Sequence, residues 1–131
     1  MIALDSSALI AILRGEAEAS RFLEAIASAS ALILSAVSYL ETSIVLAGPA
    51  GGSEVWKPLD RLIARTSAAV VGFDAEQAAI SRAAFLQFGK GRHAASLNFG
   101  DCASYALAKS RKVPLLFKGD DFRKTDLAAV L

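Results

Sequence analysis

The feature that most constrains this chain is an alternation of short apolar runs with longer stretches of helical period. Ile2-Ala3-Leu4, Leu32-Ile33-Leu34, Ala69-Val70-Val71 and Pro114-Leu115-Leu116-Phe117 are each too short for a helix and bounded by polar or turn residues, so they read as buried strands. Between them the spacing predicts helices over Ser7–Leu13, Glu16–Ala29, Val37–Ala47, Glu54–Arg65, Ala75–Phe88 and Asp101–Arg111. In the fifth, Asp74 followed by Gln77 has the form of a capping box, and Ala79, Ile80, Ala83 and Leu86 supply an apolar stripe. Strands that are apolar throughout need helices on both faces. The expected fold is therefore α/β, three layers (α/β/α) around a central, mostly parallel sheet. No internal repeat or linker divides residues 1–131, so a single domain is expected.

Composition removes whole classes of chemistry. Cys102 is the sole cysteine and His93 the sole histidine, which excludes an intrachain disulfide and a Cys/His zinc site and leaves oxygens as the main metal donors. From Ala25 to Ser53 the only charge is Glu41, yet the charge-free run Ala25–Leu40 is shorter than a membrane span, contains four serines and leads to the breaker Gly48-Pro49-Ala50-Gly51-Gly52. Met1-Ile2-Ala3-Leu4 runs straight into Asp5 without the basic region of an export signal, so the reading is cytoplasmic with no membrane association. No G-x-G-x-x-G follows a strand and no G-x-x-x-x-G-K-[ST] occurs, which argues against a nucleotide-cofactor enzyme.

Open α/β sheets bind ligands beyond the carboxyl ends of their strands. Asp5 follows the first predicted strand and Asp120-Asp121 follow the last. Asp101 opens the sixth helix, and Glu41, with Val37, Ile44 and Val45 at helical neighbour positions, is expected on a buried apolar stripe. Each acid alone has a bland reading as a helix cap, a turn residue or half of an ion pair. As a set converging on one sheet edge they would repel one another without a cation, and hard oxygen donors suit Mg²⁺ or Mn²⁺. Such a site favours phosphodiester hydrolysis, because the ion activates water and offsets charge on the phosphate.

Four segments carry a family resemblance: Ile2-Ala3-Leu4-Asp5-Ser6-Ser7-Ala8-Leu9; Ser35-Ala36-Val37-Ser38-Tyr39-Leu40-Glu41; Gly89-Lys90-Gly91-Arg92-His93 leading to Leu97-Asn98-Phe99-Gly100-Asp101-Cys102; and Leu115-Leu116-Phe117-Lys118-Gly119-Asp120-Asp121-Phe122. In this order and spacing they resemble the PIN domain, and more narrowly the VapC toxins of type II toxin–antitoxin modules. The resemblance implies a PIN-like Mg²⁺- or Mn²⁺-dependent endoribonuclease that cuts structured RNA such as tRNA or ribosomal RNA. It also implies silencing by a cognate VapB-type antitoxin, and a homodimer. Carried over residue by residue, Asp5, Asp101 and Asp121 match the metal-holding acids, with Glu41 as the helical acid that orients or deprotonates the attacking water. Asp120 competes with Asp121 for the fourth place, and the acid directly before the aromatic is favoured. Ser7 matches a hydroxyl position that holds a metal-bound water. The competing reading is a catalytically inactive PIN-like binding module whose acids are caps and ion pairs.

Charge distribution points to a polyanion independently. Residues 1–89 carry six basic and nine acidic side chains, whereas 90–131 carry eight basic and four acidic. Arg92, Lys118, Arg123 and Lys124 flank the acids in sequence and are expected to grip phosphates. His93 is a candidate phosphate donor, and Cys102 is read as core. The helices Glu16–Ala29 and Val37–Ala47 carry more apolar residues than a narrow core stripe needs, so a groove between them is expected to take an amphipathic antitoxin segment.

Overall fold

The computed structural model describes residues 1–131. Four strands, β1 (Ile2–Leu4), β2 (Leu32–Ser35), β3 (Ala69–Val71) and β4 (Leu115–Leu116), form one parallel sheet in the order β3-β2-β1-β4. Six α-helices connect or flank them: α1 (Ser6–Leu13), α2 (Ala19–Ser28), α3 (Ala36–Ala47), α4 (Lys57–Thr66), α5 (Ala75–Phe88) and α6 (Phe99–Arg111). Short 3₁₀ turns occupy Ser53–Trp56 and Phe122–Lys124. The single predicted helix over Glu54–Arg65 is thus a 3₁₀ turn followed by α4, with Pro58 in the first helical turn, where its missing N–H costs nothing.

Alternation along the strands splits the core in two. Ala3, Ile33 and Leu115 face α5 and α6, where Phe88, Leu97, Tyr105 and Leu107 complete one cluster. Ile2, Leu4, Leu32, Leu34 and Leu116 face the other way and bury Leu9, Phe22, Ile26 and Leu59 of α1, α2 and α4. Each fully buried side chain of this size contributes roughly 1.5–3 kcal/mol, so both layers are held mainly by hydrophobic burial. The sheet's β4 side is covered by the chain end: Leu115 donates to the Ala128 carbonyl and accepts from Val130 N–H.

Three packing expectations need correction. β3 is an edge strand with Ala69 and Val70 exposed, because it has a partner on one side only; a run of apolar residues looks the same in a central or an edge strand. The buried face of α5 is Gln77, Ala84 and Phe88 with Ile80 beside them, whereas Leu86 is 64% exposed. Gln77 N–H does bond the Asp74 carboxylate, but the Gln77 amide turns to the Gly72 carbonyl instead of closing a box. On the other layer, α1 packs against both α2 and α3, so the two helices expected to line a common groove are bridged by a third.

Strand order changes direction at β1: β2 and β3 lie to one side and β4 to the other. That reversal opens a crevice at the carboxyl ends of β1 and β4, where neighbouring connections leave in opposite directions. The acids after these two strands, Asp5 and Asp120-Asp121, are therefore brought to the same rim.

Candidate active site

Asp5 ends β1 and caps α1. Its carboxylate is 2% exposed and accepts the Ser7 N–H (3.0 Å), the Ser7 hydroxyl (2.6 Å) and, from α6, the Ser104 hydroxyl (2.5 Å). Ser104 in turn meets Ser38 of α3 at 2.9 Å. A carboxylate so deeply buried is tolerable only with donors of this number and quality. Ser7 also accepts the Lys118 N–H at 3.0 Å, which ties the loop after β4 to the start of α1.

Asp101 lies in the first turn of α6 in a true capping box: Asn98 Oδ1 accepts the Asp101 N–H and Asp101 Oδ2 accepts the Asn98 N–H. Burial lifts its pKa from 3.8 to about 6; the Asn98 N–H opposes this, and repulsion from Asp5, Glu41 and Asp121 adds to it. One carboxyl thus feels three others, delivered by the β1 end, α3 and the loop after β4. Asp120 is absent from that set and instead lines a separate cleft with Glu18, Arg21, Lys118 and Arg123.

Glu41 is half-buried and accepts a 2.5 Å hydrogen bond from the Ser6 hydroxyl. Its surroundings differ from the apolar stripe expected: Ile44 is 61% exposed and Val45 37%, whereas the buried face of α3 is Ser38, Thr42 and Ser43. The polar face turns inward because Ser38 meets Ser104, which in turn holds Asp5, and Thr42 and Ser43 satisfy their hydroxyls on the Ser38 and Tyr39 carbonyls. The Glu41 carboxylate rests against Gly100, where a Cβ would stand 2.1 Å from Oε2. Gly100 is therefore the space that lets α3 and α6 present Glu41 and Asp101 together.

No salt bridge reaches Asp5, Glu41, Asp101 or Asp121. As placed, no three His, Cys, Asp or Glu side chains stand close enough together to hold an ion between them. Mg²⁺ does not need a closed cage, since it keeps several waters and is held by one or two carboxylates. An all-oxygen, like-charged set with a carboxyl raised to about 6 and no internal counter-ion fits a hard divalent cation.

A model of the PIN domain family matches residues 2–127. The chain is 50% identical over 130 residues to a protein of Mycolicibacterium smegmatis named ribonuclease VapC, covering 97% of this chain and 98% of that one. It is 46% identical over 130 residues to the Mycobacterium tuberculosis ribonuclease VapC30, covering 97% and 96%.

The chain belongs to the PIN domain family, among its VapC ribonucleases.

Solved structures agree on the fold. The M. tuberculosis toxin VapC20, described as cleaving the sarcin–ricin loop, superposes with a TM-score of 0.75 at 19% identity, over 98% of this chain and 97% of that one. The VapBC2 complex of Rickettsia felis, bound to a promoter DNA fragment, superposes at 0.73 with 18% identity, over 98% and 97%.

In this VapC-family chain the expected phosphate grips are largely committed elsewhere. Lys118 Nζ bonds Glu16 and Glu18, both at 3.1 Å, and these bonds raise its pKa. Arg123 lies 5.4 Å from the Phe117 ring and donates to the Leu131 carbonyl, and Arg92 Nε donates to the Leu86 carbonyl. His93 Nδ1 accepts the Ala95 N–H while its ring meets the edge of Phe88, so it orders its own loop. Ser7 has its proton on Asp5. Cys102 is 5% exposed in the core; burial, then Asp101, push its thiol up, away from reactivity. Sequence reasoning missed Ser6, Ser38, Ser104 and Gly100. Their one available signal was a serine or glycine on each otherwise apolar helix start or face. No helix is long and apolar enough to cross a membrane.

Proposed function

We propose that this chain is the toxin of a toxin–antitoxin module, a Mg²⁺- or Mn²⁺-dependent endoribonuclease that cuts structured RNA such as tRNA or ribosomal RNA. The observation that carries the reading is the arrival of Asp5, Glu41, Asp101 and Asp121 from four separate segments at one rim, near enough for the other three to repel Asp101, with no basic side chain paired to any of them. Helix caps alone do not require four like charges at one rim. The names of the relatives, ribonuclease VapC and VapC30, supply the reaction class.

In this mechanism Asp5, Asp101 and Asp121 hold the cation directly or through water. The cation supplies Lewis-acid chemistry, offsetting the charge that builds on the scissile phosphate. Asp5 is the fixed anchor because its serine shell prevents rotation; Ser6 aims Glu41. Glu41 orients the attacking water and takes its proton as the new bond to phosphorus forms. The P–O3′ bond breaks, the 3′ oxygen picks up a proton, and the products carry a 5′-phosphate and a 3′-hydroxyl.

A VapB-type antitoxin as partner is supported by the toxin–antitoxin complexes among the structural neighbours, and a homodimer accords with the family. The test is incubation of the purified chain with total tRNA and ribosomal RNA in Mn²⁺, with end mapping. Discrete cuts that vanish in EDTA and in Asp101→Asn are expected; RNA left intact by the parent would refute the activity.

A further inference from the structure

A cleft of about 360 Å³ opens between α5 and the first turn of α6, lined by Phe73, Ala78, Ser81, Arg82, Phe85, Phe99 and Cys102. Phe99 is 79% exposed and Phe85 41%, the former being the most exposed large apolar side chain of the chain. Leaving a phenylalanine in water at a helix start is unfavourable, and nothing in the packing of α6 calls for it. Phe99 stands two residues before Asp101 in the first turn of α6, so the two side chains leave the helix about 200° apart and the cleft lies on the other side of the helix start from the acids.

Three observations indicate what the cleft takes. Its walls combine aromatic rings with a guanidinium, the pair of surfaces on which unpaired RNA bases stack. The Arg82 guanidinium makes no hydrogen bond or ion pair, as is also true of the Lys124 ammonium, whereas Lys118, Arg123 and Arg92 are engaged, so Arg82 is free for a phosphate at this cleft. Size is in keeping with a small planar group: at about 360 Å³ the cleft lies at the low end of small-molecule sites, roughly 300–1,000 Å³.

We propose that this cleft is a nucleobase subsite, in which an unpaired base of the RNA stacks on Phe99 while Arg82 holds an adjoining phosphate and the scissile phosphate lies at the acids. The subsite rests on the ribonuclease reading and adds a source of substrate preference to it. A base must leave its helix to reach the ring, so cuts fall in loops or single-stranded stretches of a structured RNA.

The test is fluorescence anisotropy with a labelled, random-sequence single-stranded RNA 20-mer in EDTA, where no cleavage is needed. Phe99→Ala is expected to weaken binding about 5- to 100-fold with an unchanged salt slope, and Phe99→Tyr to stay within about twofold of the parent. Arg82→Ala is expected to reduce the log–log salt slope by about 0.7. Melting temperature and mass by light scattering should be unchanged in Phe99→Ala, and in cleavage assays its KM should rise more than its kcat falls. Binding within twofold of the parent in Phe99→Ala, or equal loss in Phe99→Tyr, overturns the subsite. A halved mass in Phe99→Ala assigns the face to a second copy and also overturns it. If Asp101→Asn abolishes cleavage while Phe99→Ala binds like the parent, the subsite alone falls; if the parent neither binds nor cuts RNA, both readings fall.

Discussion

The β1–α1 junction and the loop after β4 bring acids to the same edge of the sheet by opposite means. At the first, Asp5 is 2% exposed and receives three hydrogen bonds, two from Ser7 and one from Ser104. At the second, Asp120 and Asp121 are exposed, their carboxylates receive no hydrogen bond, and the loop is tethered through its backbone and Lys118. One acid is built into the fold and serves as its helix cap; the other is held near the rim and left to adapt. The caps of Asp5 and Asp101 are observed, and capping does not exclude the ligand duty proposed for the same residues.

The largest effect should separate these regions directly. Asp5→Ala removes a cap and orphans the Ser7 and Ser104 donors, and is expected to cost about 2–4 kcal/mol in chemical denaturation in EDTA. Asp121→Ala should stay within about 0.5 kcal/mol. Equal losses would erase the distinction.

Next in size is the pH dependence carried by Asp101. Its folded pKa of about 6 lies above the ordinary 3.8, so the folded protein binds more protons between these values. For this group stability is highest below pH 3.8, falls as pH rises toward about 6, and is level beyond. Allowing for solvent screening at a half-exposed group, the fall is about 1 kcal/mol. Asp101→Asn, whose side-chain oxygen still accepts the Asn98 N–H, should flatten that slope, whereas Asp101→Ala also loses the cap. A slope that persists in the Asn variant would contradict its assignment to Asp101.

Smaller still in stability is Gly100→Ala. The added Cβ meets only the end of the flexible Glu41 side chain, so about 0.5 kcal/mol or less is expected, yet Glu41 must leave Ser6 and RNA cleavage should drop at least tenfold. Unaltered cleavage would remove Glu41 from the mechanism. The subtlest change is the titration of Asp101 by NMR: Asp121→Asn should lower its pKa and Asp120→Asn should leave it in place. The reverse pattern would reassign the fourth acid.

The parallel layered fold was readable from run lengths, because a three-residue apolar run bounded by turns admits few alternatives. Asp5 was readable for the same reason, as the first polar residue past a strand. Glu41 was singled out on a faulty premise, since its apolar neighbours Ile44 and Val45 face outward while serines and a threonine face in. A buried serine has no signature of its own; Ser104 makes sense only beside an acid 99 residues away. The face of α5 was obscured by alanines and apolar residues on every side of the helix, which leaves no preferred stripe. Likewise, Arg123 and Lys118 looked like phosphate ligands until their partners, Leu131, Glu16 and Glu18, were brought beside them by the fold.

The proposed site holds one cation on Asp5, Asp101 and Asp121 with Glu41 beside it, and paired thermal melts in EDTA and in Mn²⁺ test this most directly. The parent should be stabilised by about 2.7 kcal/mol at a hundredfold excess of Mn²⁺ over Kd, and Asp101→Asn, as stable as the parent or more so in EDTA, should gain much less. A parent indifferent to Mn²⁺, with Asp101→Asn less stable than the parent in EDTA, would contradict the shared site and leave the acids as caps.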